Sequence, residues 1–431
     1  MEGKNFVIRG NICHCTTRTE IDVVPNGYVV CEEGRSQGVF HQLPERYAEL
    51  PVTDFGDRLV IPGMVDLHTH APQFAFRGMG MDMELMDWLQ TYTFPGEAKY
   101  ADEAYAEKAY DHFVEKMRTS ATTRACIFAT CHVSSTILLM KKMDASGLVS
   151  FVGKVNMDLL APDWLREESA KRSIEETWRW LREVGNLSHT QPILSPRFVP
   201  SCSEKLLIAL GNLRREWNLP VQSHLSENHN EIQLVRQMYP ESPFYGAIYD
   251  QYDLFGVDSV EGTRFHTVMA HCVWSSEREA ARIRENGVFI AHCPGSNTNL
   301  ASGIAPLRRY LEQGLRVGLG SDVAGGHTES IFQAIIDGIQ GSKMYQSMVD
   351  PGARFIHFPE ALYLATRGGG AFFGKVGCFE PGYELDAVVL DDSVASFQEN
   401  LPLSKRLERA VYQRVDRDGI CAKYVRGKRL F

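Results

Sequence analysis

Two histidines separated by one residue, His68-Thr69-His70, are the first residues of this chain that could do chemistry. In an extended strand side chains two apart share a face, so the pair can aim two imidazoles at one point while Thr69 turns away. Such a pair alone is a weak signal, because buried histidines are often satisfied by backbone groups. A third nitrogen would come from His224, which closes the alternating run Val221-Gln222-Ser223-His224. A carboxylate would come from Asp322, between Val317-Gly318-Leu319-Gly320 and Ala324-Gly325-Gly326; there an aspartate can equally be a turn former or helix cap. Three imidazoles and a carboxylate suit zinc, with iron or manganese as alternatives, and a further position left to water makes such a site catalytic. Water held there ionises near neutral pH and becomes the nucleophile. Glu227, three residues beyond His224, can enter the same mouth and carry protons. Its bland alternative is a first-turn helix residue, a place Glu231 could also take. His271 can stabilise developing charge, or be a satisfied core histidine.

These residues need a scaffold that brings distant segments to one mouth. Candidate strands run over Met64 to His68, Thr122 to Phe128, Ser150 to Val155, Ile193 to Pro196, Pro220 to His224, Thr267 to His271, Val288 to His292 and Arg316 to Gly320. Amphipathic stretches such as Ser169 to Val184, Ser203 to Glu216 and Ser276 to Glu285 lie between them. Strand-helix alternation of this kind predicts an α/β fold, a closed (β/α)8 TIM barrel, over residues 61–375. Barrel active sites collect where strands end and βα loops begin. His68 and His70, Arg197, His224, His271, His292 and Asp322 all fall at such ends; His292 is left without a role. Short β-like runs at both ends of the chain, among them Asn5 to Arg9, Gly27 to Cys31, Arg58 to Ile61, Gly382 to Leu390 and Ala422 to Leu430, predict a small β-sandwich domain of residues 1–60 plus 376–431.

Composition narrows the classes. Apolar residues are 44% and charged residues 23% of the chain, the balance of a protein that buries a large core. Acidic residues outnumber basic ones by 54 to 45, which argues against nucleic acid or an anionic membrane surface as partner. No apolar run approaches the roughly twenty residues of a membrane helix, and Met1-Glu2-Gly3-Lys4-Asn5 leads into a strand-like stretch instead of a signal peptide, so a cytoplasmic protein is expected. The ten irregularly spaced cysteines read as free thiols, and Cys13-His14-Cys15 lacks a second pair at finger-like spacing. Gly-rich turns lack the spacing of a phosphate cradle, and no Cys-x-x-Cys supports a small zinc deaminase of the base-flipping type.

Several longer motifs carry a family likeness. Pro62-Gly63-Met64-Val65-Asp66-Leu67-His68-Thr69-His70, the later single histidines and Gly318-Leu319-Gly320-Ser321-Asp322 resemble the amidohydrolase superfamily of metal-dependent hydrolases. Narrower marks are His70-Ala71-Pro72-Gln73, Trp88 to Pro95, Gly153-Lys154-Val155-Asn156-Met157-Asp158, Pro196-Arg197-Phe198, Ser223 to Asn228, and Ala291 to Asn297. With these the chain resembles, over nearly its whole length, the branch that deaminates guanine. Ser321 stands where threonine is usual, which keeps the hydroxyl.

This resemblance implies hydrolysis of guanine to xanthine and ammonia, with zinc on His68, His70, His224 and Asp322. It implies Glu227 as the acid that protonates a ring nitrogen, and Asp322 with His271 as handlers of the water's proton. Gln73 and Arg197 would read the purine edge, beside His224, Glu227 and Asp322, and Phe198 and Trp88 would stack on the ring, although Trp88 is also an ordinary core aromatic. A homodimer is implied as well. Two other readings stay open: another aminated ring of cytosine, triazine or adenosine type, or a non-catalytic scaffold of the same fold, which the intact ligand set disfavours.

Overall fold

A computed structural model describes residues 5–260, 263–394 and 401–431; Met1 to Lys4, which head the start read above, lie outside them. Parallel strands form at Met64–His70, Thr122–Phe128, Val149–Gly153 (followed by Val155–Asn156), Thr190–Pro192 (followed by Ser195–Pro196), Val221–Leu225, Thr267–His271, Phe289–His292 and Arg316–Leu319. Neighbours pair in sequence order, and a parallel bridge between Leu194 and Val221 joins the fourth to the fifth. The ring closes where Asp322 N donates to His68 O (2.8 Å) and His70 N donates to Val323 O (3.0 Å). The predicted barrel is therefore the observed one, with strand limits shifted by a residue or two.

Strands buried on both faces need helices outside and a filled interior. Every residue of Met64–His70 and of Thr122–Phe128 is buried. The helices Ala170–Glu183, Glu204–Trp217 and Glu277–Glu285 begin just after Ser169, Ser203 and Ser276. Each serine Oγ accepts the backbone N–H three residues on, from Arg172, Leu206 and Glu279. These bonds satisfy donors that helix geometry leaves unpaired.

Both chain ends enter one seven-stranded sheet, in the order Lys428–Arg429, Ile420–Val425, Ala387–Leu390, Val52–Pro62, Phe6–His14, Asp22–Glu32, Arg35–Phe40. Where the sequence reading expects a sandwich, hydrogen bonding links all these strands continuously. The sheet curls strongly. Phe6 and Tyr424 lie three strands apart in that order, about 14 Å along a flat sheet, yet their rings stack at 5.4 Å between centroids. The C-terminal segment is also not purely β, since the helix Leu403–Tyr412 interrupts it. Its mostly polar sequence, Leu403 to Tyr412, hid an apolar stripe, and Leu407, Ala410 and Val411 are buried.

A buried ion pair ties this sheet to the barrel. Arg124, on the second barrel strand, donates to Asp386 through Nε (2.6 Å) and Nη2 (3.1 Å), and to Glu384 (2.7 Å). The side chains of Arg124 and Asp386 are 3% and 0% exposed, so removing one partner strands a charge away from water. Arg124→Met is expected to lower unfolding stability by about 3–5 kcal/mol, and Arg124→Met with Asp386→Leu by less; urea denaturation of both variants checks this.

Candidate active site and metal centre

Three of the sequence-selected histidines and Asp322 meet at the strand ends. His70 Nε2 lies 3.2 Å from His68 Nε2 and 3.3 Å from His224 Nε2. Asp322 Oδ1 lies 3.1 Å from His68 Nε2 and 3.4 Å from His70 Nε2. A small divalent ion bonded at about 2.0–2.1 Å holds neighbouring ligand atoms roughly 3 Å apart, so these spacings fit adjacent positions around such an ion, and the side chains close enough to share one form the groups His68, His70, Asp322 and His68, His224, His271. The protonation pattern fits too. His224 Nδ1 lies 2.5 Å from Arg197 O; a carbonyl only accepts, so Nδ1 carries the proton and Nε2 turns a bare lone pair to the centre. Burial pushes the His68, His70 and His224 imidazoles below their ordinary range, His70 to about 4, which keeps them neutral and able to ligate.

The backbone around these atoms is braced. Asp66, wholly buried, accepts from His68 N (3.1 Å) and Ser321 N (3.0 Å) through one oxygen and from Ser321 Oγ (2.5 Å) through the other. It thereby ties the first strand to the turn bearing Asp322, and the hydroxyl of Ser321 is what it needs. At Gly320 a Cβ would come within 2.7 Å of Cys293 Sγ and 3.0 Å of His68 Cβ, so only glycine lets the strands approach this closely. His271 (φ 74°) and Asp322 (φ 46°) hold left-handed backbone, which costs an L residue about 1–3 kcal/mol and bends both side chains into the mouth.

Glu227 and His271 complete the cluster. His271 Nε2 lies 3.4 Å from Glu227 Oε2 and 3.8 Å from Asp322 Oδ2. Its Nδ1 lies 2.9 Å from Asn297 Oδ1, so Nδ1 donates there and Nε2 faces the carboxylates. Burial, with the charge of Asp322 adding to it, pushes the Glu227 carboxyl up to about 8. Among the described residues only Ser302 Oγ donates to it, at 3.1 Å. Glu231 takes the bland role weighed above: its carboxylate accepts from Glu227 N, Asn228 N and the Tyr245 hydroxyl at the head of the helix His229–Met238.

The cavity beside the cluster is lined by His70, Gln73, His224, Glu227, His271 and Asp322 together with Arg197, Phe198 and Trp88. Every site residue selected from sequence thus faces one pocket or the cluster at its base. His292 lines none of it, and burial lowers its imidazole to about 4. Among the described residues the cysteines are all free, and burial raises Cys13 and Cys15 to about 12. The sequence reading missed Glu97, which holds Gln73 and Arg197, and Phe128, whose ring lies 4.7–5.2 Å from those of His68, His70 and His224. Phe128 was legible as a strand-end residue; nothing in the spacing marked Glu97. Asn297 lay inside a quoted motif without an assigned role.

A barrel with imidazoles and a carboxylate gathered at the closing seam defines a metal-dependent hydrolase fold, and residues 59–424 match the amidohydrolase family, to which the chain belongs. Its relatives include guanine deaminases. The chain is 33% identical to the guanine deaminase of Dictyostelium discoideum over 98% of both chains. It is 38% identical to that of Homo sapiens, over 77% of this chain and 72% of the human one. The crystal structure of the C. acetobutylicum guanine deaminase, with guanine bound in its active site, superposes with a TM-score of 0.94 at 43% identity, over 99% of this chain and 100% of that one.

A divalent ion that binds only the folded chain must stabilise it. Zinc at a thousandfold excess over its dissociation constant is expected to add about 4 kcal/mol, seen as a raised thermal midpoint. Asp322→Ala is expected to erase that rise in scanning calorimetry with and without metal.

Proposed function

We propose that the protein hydrolyses guanine to xanthine and ammonia, with one zinc ion held by His68, His70, His224 and Asp322. The observation that carries this reading is that the buried carboxyl of Glu227, a cluster fit for a divalent ion and the buried guanidinium of Arg197 all border a single cavity. The bound ion supplies an activated water at neutral pH.

Phe198 and Trp88 hold the flat ring between apolar faces and exclude bulk water from it. Arg197 donates to the ring carbonyl, and Gln73 donates along the same edge. An amino group in place of that carbonyl would face buried donors, and leaving such groups unpaired penalises the wrong base. Glu227 holds a proton near neutrality and delivers it to the ring nitrogen beside the carbon that bears the amino group. As water adds to that carbon, Asp322 and His271 take one of its protons and pass it to the departing nitrogen, and the other proton returns to Glu227 as the new carbonyl forms. One C–O bond forms and one C–N bond breaks, so guanine and water become xanthine and ammonia.

The family likeness also supports a cytoplasmic homodimer, and a division into a catalytic unit, residues 61–375, and a small β unit, residues 1–60 plus 376–431. No helix among the described residues is long and apolar enough to cross a membrane.

Ammonia release from guanine, adenine, cytosine and a triazine by the zinc-loaded protein tests this function. Guanine is expected to be the substrate. Glu227→Ala is expected to lower kcat by about 100- to 10,000-fold without loss of bound zinc, and chelation to abolish turnover reversibly. Turnover of a different ring, with guanine inert, overturns the assignment.

A further inference from the structure

We infer that Glu97 is a positioning residue that sets substrate selectivity by locking Arg197 and Gln73 into an edge of hydrogen-bond donors; the inference rests on the proposed use of those two residues. Glu97 lies in the short helix Phe94–Ala98, is 2% exposed and does not line the cavity. One carboxylate oxygen accepts from Arg197 Nη1 (2.6 Å) and the other from Gln73 Nε2 (2.9 Å). A single buried anion therefore holds two residues that are far apart in sequence.

The second of these bonds separates positioning from mere charge balance. Neutralising Arg197 would need only one oxygen of Glu97. Gln73 Oε1 accepts from Ala324 N at 3.1 Å, and a backbone N–H only donates, so the amide orientation is unambiguous. With its oxygen committed to Ala324 and one N–H committed to Glu97, Gln73 has a single N–H left to offer. Arg197 can only donate. The edge so formed accepts ring carbonyl and ring nitrogen lone pairs and opposes amino groups. Were Gln73 free to turn, it would present either its carbonyl or its amide, and the discrimination would blur. The same arm reaches the metal centre, because the carbonyl of Arg197 orients His224.

Glu97→Gln keeps the shape but replaces one acceptor by an amide that can only donate, so either Arg197 or Gln73 is released. The test compares guanine with 2-aminopurine, which carries the same leaving amino group and lacks the ring carbonyl. The wild type is expected to favour guanine. Glu97→Gln is expected to cut kcat/KM for guanine by about 10–100-fold, chiefly through KM, while that for 2-aminopurine changes by less than about threefold. Glu97→Asp keeps the charge, so Arg197 is not stranded, but is one methylene short of spanning both partners. It is expected to shift the ratio in the same direction by a smaller amount, and it carries the test if Glu97→Gln fails to fold. A wild-type ratio in the folded variants, or an equal fall for both substrates, overturns the positioning role. Wild-type protein that turns over neither compound overturns the proposed function instead, and this inference with it.

Discussion

Electron pairs crowded at one point dominate this structure. Three imidazole nitrogens and a carboxylate oxygen stand 3.1–3.4 Å from their neighbours, and such donors repel one another unless positive charge lies among them. The barrel supplies the force that gathers them. First and last strands meet through the hydrogen bonds of Asp322 to His68 O and His70 to Val323 O, so the seam that closes the ring also carries His68, His70 and Asp322. Asp66 and Gly320 sit at that seam, one bonding across it and one leaving room for it. A fold closed elsewhere in the chain would place the same side chains apart.

The surrounding polar groups show how a dry interior assigns different tasks to like residues. Glu231 and Glu227 are both buried and four residues apart. Three donors surround Glu231, which makes it a bracket for the turn, whereas Glu227 has one donor among the described residues; burial raises both carboxyls, Glu231 to about 7 and Glu227 to about 8. Glu97 takes a third task, its charge matched by Arg197 at the cavity wall. In a medium of low dielectric the number and sign of such contacts decide whether a carboxyl bonds, protonates or orients.

Away from the mouth, the curled sheet from the two chain ends is joined to the barrel by charge as well as by apolar packing. Arg124 projects from a barrel strand onto Asp386 and Glu384, and Lys423, fully buried, donates to the carbonyls of Met117, Arg118 and Ser120 where a barrel helix ends. Fully paired polar anchors of this kind oppose sliding of one unit on the other, because any shift leaves buried groups without partners.

Much of this was legible in the chain before any coordinates. Strand-like runs ending in His68 and His70, His224, His271 and Asp322 marked both the strands and the residues at their tips, and strand geometry puts the two side chains of His68 and His70 on one face. Amphipathic runs between the strands marked three of the helices for an equally local reason. The sheet continuity of the two chain ends, the helix Leu403–Tyr412, Phe128 beneath the imidazoles, and the bond from Asn297 to His271 were not legible. Nor was Glu97, which meets Gln73 and Arg197 from 24 and 100 residues away. Local sequence sets what a segment can form and which side chains it offers. Which carboxylate meets which cation depends on where distant loops land, and only the closed barrel decides that.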